Sequence, residues 1–419
     1  MDSEKDLIES QKVIAEKILA RQPILNRKQN TVGYELLFRE SQDKNLFTNK
    51  VSGDVATLTV INSLITVGLH NVIGSNKAFI NFDTDLLLDQ YYKLLPKDAV
   101  VIEILENVKI SDRLVKVCKE AKEEGFMLAL DDFFFRERIE QLIELADIIK
   151  IDMIESSEEE IVKYAEEFKK RGKFLLAEKV ETDEEFNNTL RMGFDYFQGF
   201  FFSRPQIISG HDIPVYKAKL LKLMQEVQMG ADLEKMIELI GQDVALSWKL
   251  LKFINSAFFG FRSHIGTVKR AAYMLGEKEL KRWMQFIIIS EIATDSPLEL
   301  VSQSAFRGKF AECITEKIGG DELPLKAFTA GMFSLMDAIL QKPIHEILDD
   351  ISLDEEIKNG ILRKDTFLGN IIQLVVSREE MDFPRVNNLL QTLNFSYADL
   401  QQAYFNAITW TTNLFSSYK

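Results

Sequence analysis

Residues 18–205 repeat one pattern, a short apolar run followed by an amphipathic helical stretch, and this alternation constrains the fold more than any other feature. Successive strand–helix units with apolar strands favour parallel pairing and a sheet that is buried on both faces. Eight such runs within roughly 190 residues predict a compact (β/α)8 barrel, smaller than the typical ~250 residues. The runs are 18–25, 31–39, 78–83, 100–106, 127–133, 147–152, 174–181 and 196–202.

The connection between the first two runs predicts one departure from the standard barrel. The turn LNRKQNTV (25–32) leaves no room for a crossover helix. Parallel neighbours need a connection of about a dozen residues or more, so this pair of strands is predicted to be antiparallel.

After Pro205 the periodicity becomes helical and strand signals vanish. The stretch PQIISGHDIP (205–214) carries two prolines and turn residues, which are typical of a domain boundary. We therefore predict a barrel domain at 1–208 and an all-helical domain at 209–419. The predicted helices are 216–227, 232–259 in two pieces, 266–293 broken at Gly276, 298–319 and 325–341, with shorter helices beyond.

Polar side chains stand at the end of nearly every predicted strand. In a (β/α)8 barrel these ends meet at one mouth, where the chemistry lies. Carboxylates and amide oxygens that converge repel each other without a cation, and they are the ligands that Mg²⁺ or Mn²⁺ prefers. Such polar residues also commonly cap the following helix, but the glutamates here lie within apolar runs. The residues are Glu35, Asn81, Glu103, Asp131, Asp132, Lys150, Glu178, Glu181 and Gln198.

These residues lie in segments that resemble a known family. YELLFR (34–39) is similar to the Glu-Ala-Leu signature of EAL domains, the cyclic di-GMP phosphodiesterases, with Leu36 in the alanine place. The resemblance is collinear from the opening strand to the closing Gln-Gly motif. Its other segments are RQPI (21–24), FINFD (79–83), EILE (103–106), LDDF (130–133), KID (150–152), AEKVE (177–181) and FQGFFFSRP (197–205).

The resemblance implies a role for each matched residue. Hydrolysis of cyclic di-GMP to linear pGpG would use Mg²⁺ or Mn²⁺, with Lys150 holding the nucleophilic water and Glu178 as the general base. The metal ligands would be Glu35, Asn81, Glu103 and Asp131, with Asp132 at the second metal. The nucleotide would contact Gln22, Arg39, Glu181 and Gln198, and Glu106 would support a loop.

Three departures from the family pattern affect the support of these residues. The family's Asp-Asp-Phe-Gly-Thr-Gly loop reads DDFFFRER (131–138), so bulky residues replace glycines that adopt positive φ freely. Leu105 replaces a threonine, and Lys179 replaces a glycine. We therefore expect slow or regulated turnover. The alternative is a receptor or interaction scaffold that does not hydrolyse the nucleotide.

The helical half resembles the HDOD domain, a relative of HD phosphohydrolases. The features are the Asp-x-x-Leu helix at 243–246, Asn255-Ser256-Ala257 and Leu275-Gly276. The place of the catalytic His-Asp pair reads Ser334-Leu335, and His211-Asp212 lies in the predicted linker. The resemblance thus implies a non-catalytic module that binds a protein partner. Asn255 is expected to cap a helix or satisfy the core, while Phe258–Phe261 could pack inside or face a partner.

The composition of the chain narrows the classes of partner and the cellular compartments that are compatible with it. The net charge of −14 argues against a general nucleic-acid or anionic-membrane binder. Two cysteines far apart exclude a disulfide framework and favour a reducing cytoplasm. No apolar run approaches the ~20 residues of a membrane span. A homodimer is compatible with the pattern.

Overall fold

The structure is a computed structural model, and its contacts divide the chain into two compact units, Met1–Arg204 and Pro205–Lys419. The predicted boundary at 208/209 lies outside the described residues and stays a prediction. The structure describes residues 17–40, 68–131, 139–200, 215–256, 259, 263–320, 322–351 and 353–418.

The first unit is a closed barrel with the strand order β1 to β8, as the sequence predicts. Strand β1 is antiparallel to both of its neighbours, β2 and β8, and every other neighbouring pair is parallel. The short first connection therefore inverts one strand without opening the barrel. The strands are Lys17–Asn26, Thr31–Glu40, Lys77–Phe82, Val100–Ile104, Met127–Leu130, Ile148–Asp152, Phe174–Glu178 and Tyr196–Gln198.

A helix follows each strand from β2 to β7. Two of them begin with a reciprocal capping box, Ser157 with Glu160 and Thr182 with Glu185, which satisfies N–H groups left free in the first turn. Glycines in the left-handed conformation end two of the helices, at Gly125 and Gly193. The helices are α1 Leu69–Ile73, α2 Thr84–Leu88, α3 Asp112–Glu124, α4 Ile139–Leu145, α5 Glu158–Lys170 and α6 Asp183–Met192.

An apolar layer closes the barrel interior. Neighbouring strands contribute one buried residue each, and strands β4 and β6 are buried along their whole length. Because side chains alternate along a strand, the residue two positions further on points to the same interior. The layer consists of Ile24, Phe79, Val101, Ala129, Ile148 and Leu176.

The second unit is helical throughout its described residues, which confirms the predicted fold class. The predicted helix 232–259 is two helices, because Asp243 caps a new one, and 266–293 breaks at Gly276 as expected. The helices are α7 Val215–Gln228, α8 Leu233–Gly241, α9 Val244–Ile254, α10 Val268–Leu275, α11 Glu277–Ile292, α12 Leu298–Ile318, α13 Leu323–Phe333, α14 Met336–Leu340, α15 Ile344–Asp350, α16 Glu355–Leu362, α17 Phe367–Glu379, α18 Phe383–Leu393 and α19 Tyr397–Tyr418.

Helices α12 and α13 cross closely at two glycines, one on each helix. A Cβ at Gly331 would lie 2.5 Å from the Arg307 carbonyl oxygen, and one at Gly308 would lie 2.6 Å from Met332. Within the described residues, Leu323–Leu340 is the one stretch whose length and apolarity would suffice to cross a membrane. It is 61% buried inside the protein, as a core helix of a globular domain would be.

Candidate active site

The polar residues at the strand ends form the next layer above the apolar one. Asn81, Glu103, Asp131, Lys150 and Glu178 each lie two positions beyond a member of the apolar layer, so their side chains point into the same interior. On the inverted strand β1 the direction reverses, and Gln22 lies two positions before Ile24. The barrel thus brings the predicted site residues of six strands to one level.

The Lys150 ammonium lies at the centre of this layer. Its Nζ is 2.6 Å from Glu178 Oε1, 2.8 Å from Asp131 Oδ1 and 2.9 Å from Glu103 Oε1. Glu35 Oε2 is further away, at 3.8 Å. Lys150 is 1% exposed and Glu103 is fully buried, so these charges interact where water screens them little.

Glu35 connects this cluster to three amide side chains. Its Oε1 accepts a hydrogen bond from Asn81 Nδ2 at 3.2 Å, and its Oε2 accepts one from Gln198 Nε2 at 2.6 Å. Gln198 Nε2 also donates to Gln22 Oε1 at 2.7 Å. Strands β2, β3, β8 and β1 are thereby joined across the barrel mouth.

The pKa values follow from burial opposed by ion pairing. Burial raises the pKa of Glu178 to about 8, and it raises the pKa of Glu103 well above its ordinary value, although Lys150 lowers both. Burial alone would lower the pKa of Lys150. The surrounding carboxylates, first Glu103 and Glu178, outweigh burial and hold that pKa well above its ordinary value.

The donor atoms at this level suit a hard divalent cation. Within the described residues, Glu103 Oε2 and Gln198 Oε1 are buried acceptors without a hydrogen-bond partner. No three described His, Cys, Asp or Glu side chains converge tightly enough to form an ion site by themselves. The carboxylates converge on Lys150 instead, and an ion here would share them with the ammonium and the Asn81 amide. Oxygen donors of this kind fit Mg²⁺ or Mn²⁺.

Asp152 is a buried residue at the mouth that the sequence analysis missed. It is 3% exposed, lies beside Glu178 in the β6–β7 register, and forms an ion pair with Lys179. Its Oδ1 accepts hydrogen bonds from the N–H groups of Ile154 at 2.7 Å and Glu155 at 3.1 Å. Burial favours the neutral form, yet these bonds and Lys179 lower the pKa of Asp152.

Lys179, which stands where the family has glycine, keeps a backbone conformation typical of glycine. Its φ is 55°, in the left-handed region that costs an L-residue free energy. The backbone is fixed on both sides, because Glu178 O accepts from Met153 N at 3.2 Å and Val180 N donates to Gln198 O at 3.0 Å. Lys179 therefore combines a strained backbone with an ion pair between its ammonium group and Asp152.

Several predicted residues do not join the cluster or cannot be placed in it. Strand β7 ends at Glu178, so Glu181 lies in the following loop, where its N–H donates to Glu185 Oε2 at 2.7 Å. Glu106 is exposed in the loop after β4. Asp132, the side chain of Arg39 and the altered loop 133–138 lie outside the described residues.

In the helical unit, Arg307 contacts Ser334, one of the two residues at the position predicted for a catalytic His-Asp pair. Its Nη1 donates to Ser334 Oγ at 3.3 Å, and its Nε donates to Glu379 Oε2 at 2.7 Å. Asn255 has the structural role expected of it, because it follows α9 and exchanges hydrogen bonds of 2.8 Å with Ile265. His264 and His345 are exposed, and His211-Asp212 lies outside the described residues.

Comparison with known proteins defines the class of each unit. The EAL domain family matches residues 15–205, and the HDOD domain family matches residues 213–342. The barrel is therefore an EAL domain and the helical unit contains an HDOD domain. A solved structure of BlrP1 from Klebsiella pneumoniae, a complex with calcium and cyclic di-GMP, is 25% identical over 45% of this chain and 56% of that chain, with a TM-score of 0.37.

Two relatives share both domains in nearly full length. The chain is 33% identical to the uncharacterized protein YuxH of Bacillus subtilis strain 168, over 94% of this chain and 98% of the relative. It is 31% identical to the cyclic di-GMP phosphodiesterase CdgJ of Vibrio cholerae, over 94% of this chain and 92% of the relative. The chain belongs to this family of EAL–HDOD two-domain proteins.

Proposed function

We propose that the barrel is a metal-dependent phosphodiesterase that hydrolyses cyclic di-GMP to linear pGpG. The observation that carries the proposal is the buried layer of Glu35, Asn81, Glu103, Asp131 and Glu178 around Lys150. The activity in the name of the relative CdgJ, similar over almost the whole length, supports this choice of substrate.

The metal would be held by Glu35, Asn81, Glu103 and Asp131, with Asp132 as the expected ligand of a second ion. A bound Mg²⁺ or Mn²⁺ would neutralise phosphate charge and make a bound water more acidic. The buried Glu103 Oε2, which lacks a hydrogen-bond partner within the described residues, supports this assignment.

The protein's own groups would orient and deprotonate the attacking water. The Lys150 ammonium lies in a site almost free of solvent, where it can stabilise negative charge on the phosphate. Its three N–H groups face three carboxylates, so it would hold the attacking water with an N–H that one of them releases when the metal binds. Burial raises the pKa of Glu178 to about 8 against the opposing effect of Lys150, which brings this carboxyl into the range of groups that exchange protons near neutral pH. Gln22 and Gln198 at the rim would contact the nucleotide, and we assign the same role to Arg39 and Glu181, with Glu106 as loop support.

We assign the HDOD domain a non-catalytic role in binding a protein partner. The Arg307 guanidinium, bonded to Ser334 and Glu379, places a fixed cation where an HD enzyme needs metal ligands. We also propose a cytoplasmic location and a homodimer. The net charge of −14 disfavours binding to a nucleic-acid polymer.

A second candidate function is a receptor that binds cyclic di-GMP without cleaving it. It is favoured by Lys150, whose ammonium contacts three of the carboxylates at 2.6–2.9 Å and would compete with a cation for them. Lys179 in place of the family's glycine also departs from the catalytic pattern.

Chromatography of the products separates the two functions. Purified protein is incubated with cyclic di-GMP and Mn²⁺, and the nucleotides are resolved with time. If the barrel is an enzyme, linear pGpG should form, and a chelator should prevent its formation. If the barrel is a receptor, the cyclic nucleotide should be recovered intact, and calorimetry should show that it binds to the protein.

A further inference from the structure

The helical unit contains a cavity that neither the EAL site nor the missing His-Asp pair accounts for. It has a volume of about 310 Å³ and lies between α9, α11 and the end of α19. Its walls include Trp248, Phe253, Trp283 and Phe286, and two lysines, Lys249 and Lys252, complete its rim. The volume lies at the lower end of the roughly 300–1,000 Å³ typical of small-molecule sites.

The aromatic residues form flat walls with different degrees of exposure. The Phe253 and Trp283 rings stack at 6.2 Å with an angle of 28° between their planes, and Trp283 is 3% exposed. Trp248 is 61% exposed, because α9 buries Leu246, Leu250 and Ile254 on its opposite side. A rigid inner wall and an accessible indole at the lip can take a planar ring between them.

The charges at the rim favour an anion. Lys249 forms an ion pair with Glu291, and Lys252 Nζ lies 5.3 Å from the centroid of the Trp248 ring. Among the described residues, these contacts bring two ammonium groups and one carboxylate to the rim, in a chain whose net charge is −14. An anionic group beside a stacked ring would gain the attraction of both lysines in partly water-excluded surroundings.

We propose that this cavity binds a planar aromatic anion of mononucleotide size, with its ring against the Trp248 and Phe253 side chains and its phosphate at Lys249 and Lys252. The site lies in a different unit from the proposed phosphodiesterase centre and does not depend on its activity. It would give the helical domain a small-molecule input of its own.

Tryptophan fluorescence reports on this unit alone, because all three tryptophans of the sequence lie after residue 204. GMP is titrated into the full chain, with guanosine as a ring without charge and ribose 5-phosphate as a charge without a ring. The proposal predicts saturable quenching by GMP, at least tenfold weaker binding of guanosine, and no response to ribose 5-phosphate. Trp410→Phe, outside the lining, should leave the GMP response intact, whereas Trp248→Ala should remove most of it.

The double variant Lys249→Ala/Lys252→Ala should weaken GMP binding at least tenfold. Lys235→Ala, which removes an exposed lysine of α8, serves as the matched control and should leave binding unchanged. Circular dichroism checks that each variant is folded. Absence of saturable quenching by GMP, or equal GMP affinity in the double variant and wild type, would overturn the proposal.

Discussion

Lys150 Nζ lies 2.6 Å from Glu178 Oε1 inside the barrel mouth, and both residues stand two positions beyond the apolar layer that closes the interior. The proposed water-holding cation and the proposed base are thus held in contact by neighbouring strands, β6 and β7. The same ammonium also balances Glu103 and Asp131. The proposed chemistry and the charge balance of the site therefore share one side chain.

Lys150→Met is expected to lower phosphodiesterase turnover by about 100-fold or more, because a preorganised charge in a dry site is lost. It should also lower the melting temperature in chelator, since buried carboxylates lose their counter-charge. Adding Mn²⁺ should restore part of that loss. Lys163→Met on the exposed face of α5 is the control, and turnover within twofold of wild type in the Lys150 variant would contradict the assignment.

Glu35→Ala is expected to weaken Mn²⁺ binding by at least about tenfold, measured by calorimetry, because one carboxylate of the proposed ligand set is removed. The barrel should still fold, since the variant also relieves repulsion among buried carboxylates. Glu123→Ala removes an exposed glutamate of α3, away from the barrel mouth, and should leave affinity unchanged. Equal Mn²⁺ affinity in both variants would show that Glu35 is no ligand.

The strained Lys179 allows a paired test of backbone and charge. Lys179→Met keeps the left-handed strain and loses the bond to buried Asp152, so we expect a loss of about 1–3 kcal/mol in the free energy of unfolding. Lys179→Gly loses the same bond but relieves the strain, so it should be more stable than the Met variant by about 1 kcal/mol. Urea unfolding followed by circular dichroism measures both. A glycine variant less stable than the methionine variant would contradict this reading.

Glu379 should make the stability of the helical unit depend on pH. Burial raises its pKa although Arg307 lowers it, so the native state keeps the proton at pH values where the unfolded chain has lost it. The resulting stabilisation is complete below the unfolded pKa of about 4.3 and is lost as pH rises through the raised native value. Relative to Glu379→Gln, wild type should therefore lose stability from pH 4.3 toward neutral. Urea unfolding followed by tryptophan fluorescence measures the free energy of unfolding of both proteins. An increase in the stability of wild type relative to Glu379→Gln as the pH rises would contradict this prediction.

The barrel and its polar layer could be predicted because both follow from local patterns. Alternating apolar strands and helices define the fold, and strand ends in a parallel barrel meet at one mouth. The short turn after β1 indicated the inverted strand, and Gly276 indicated a helix break. The run at 174–181 was predicted too long, because the buried Val180 extends the apolar pattern beyond Glu178, where the strand ends.

The contacts between residues distant in sequence could not be predicted from these patterns. Lys150 was expected to hold water, but three carboxylates from other strands contact it directly, and this geometry depends on the shear of the closed barrel. Asp152 was overlooked because its partner, Lys179, follows a different strand. The β6–β7 register, which pairs Asp152 with Glu178, is the signal that could have revealed it.

Hydrolysis of cyclic di-GMP in ¹⁸O-labelled water, followed by mass spectrometry, tests the central claim most directly. Attack by water on one phosphodiester bond predicts linear pGpG with a single ¹⁸O in its terminal phosphate. The product should appear with Mn²⁺ and wild-type protein, and it should be absent with Glu35→Ala or Glu178→Gln. Recovery of intact, unlabelled cyclic di-GMP from the wild-type protein with Mn²⁺ would contradict the account and leave the barrel a receptor.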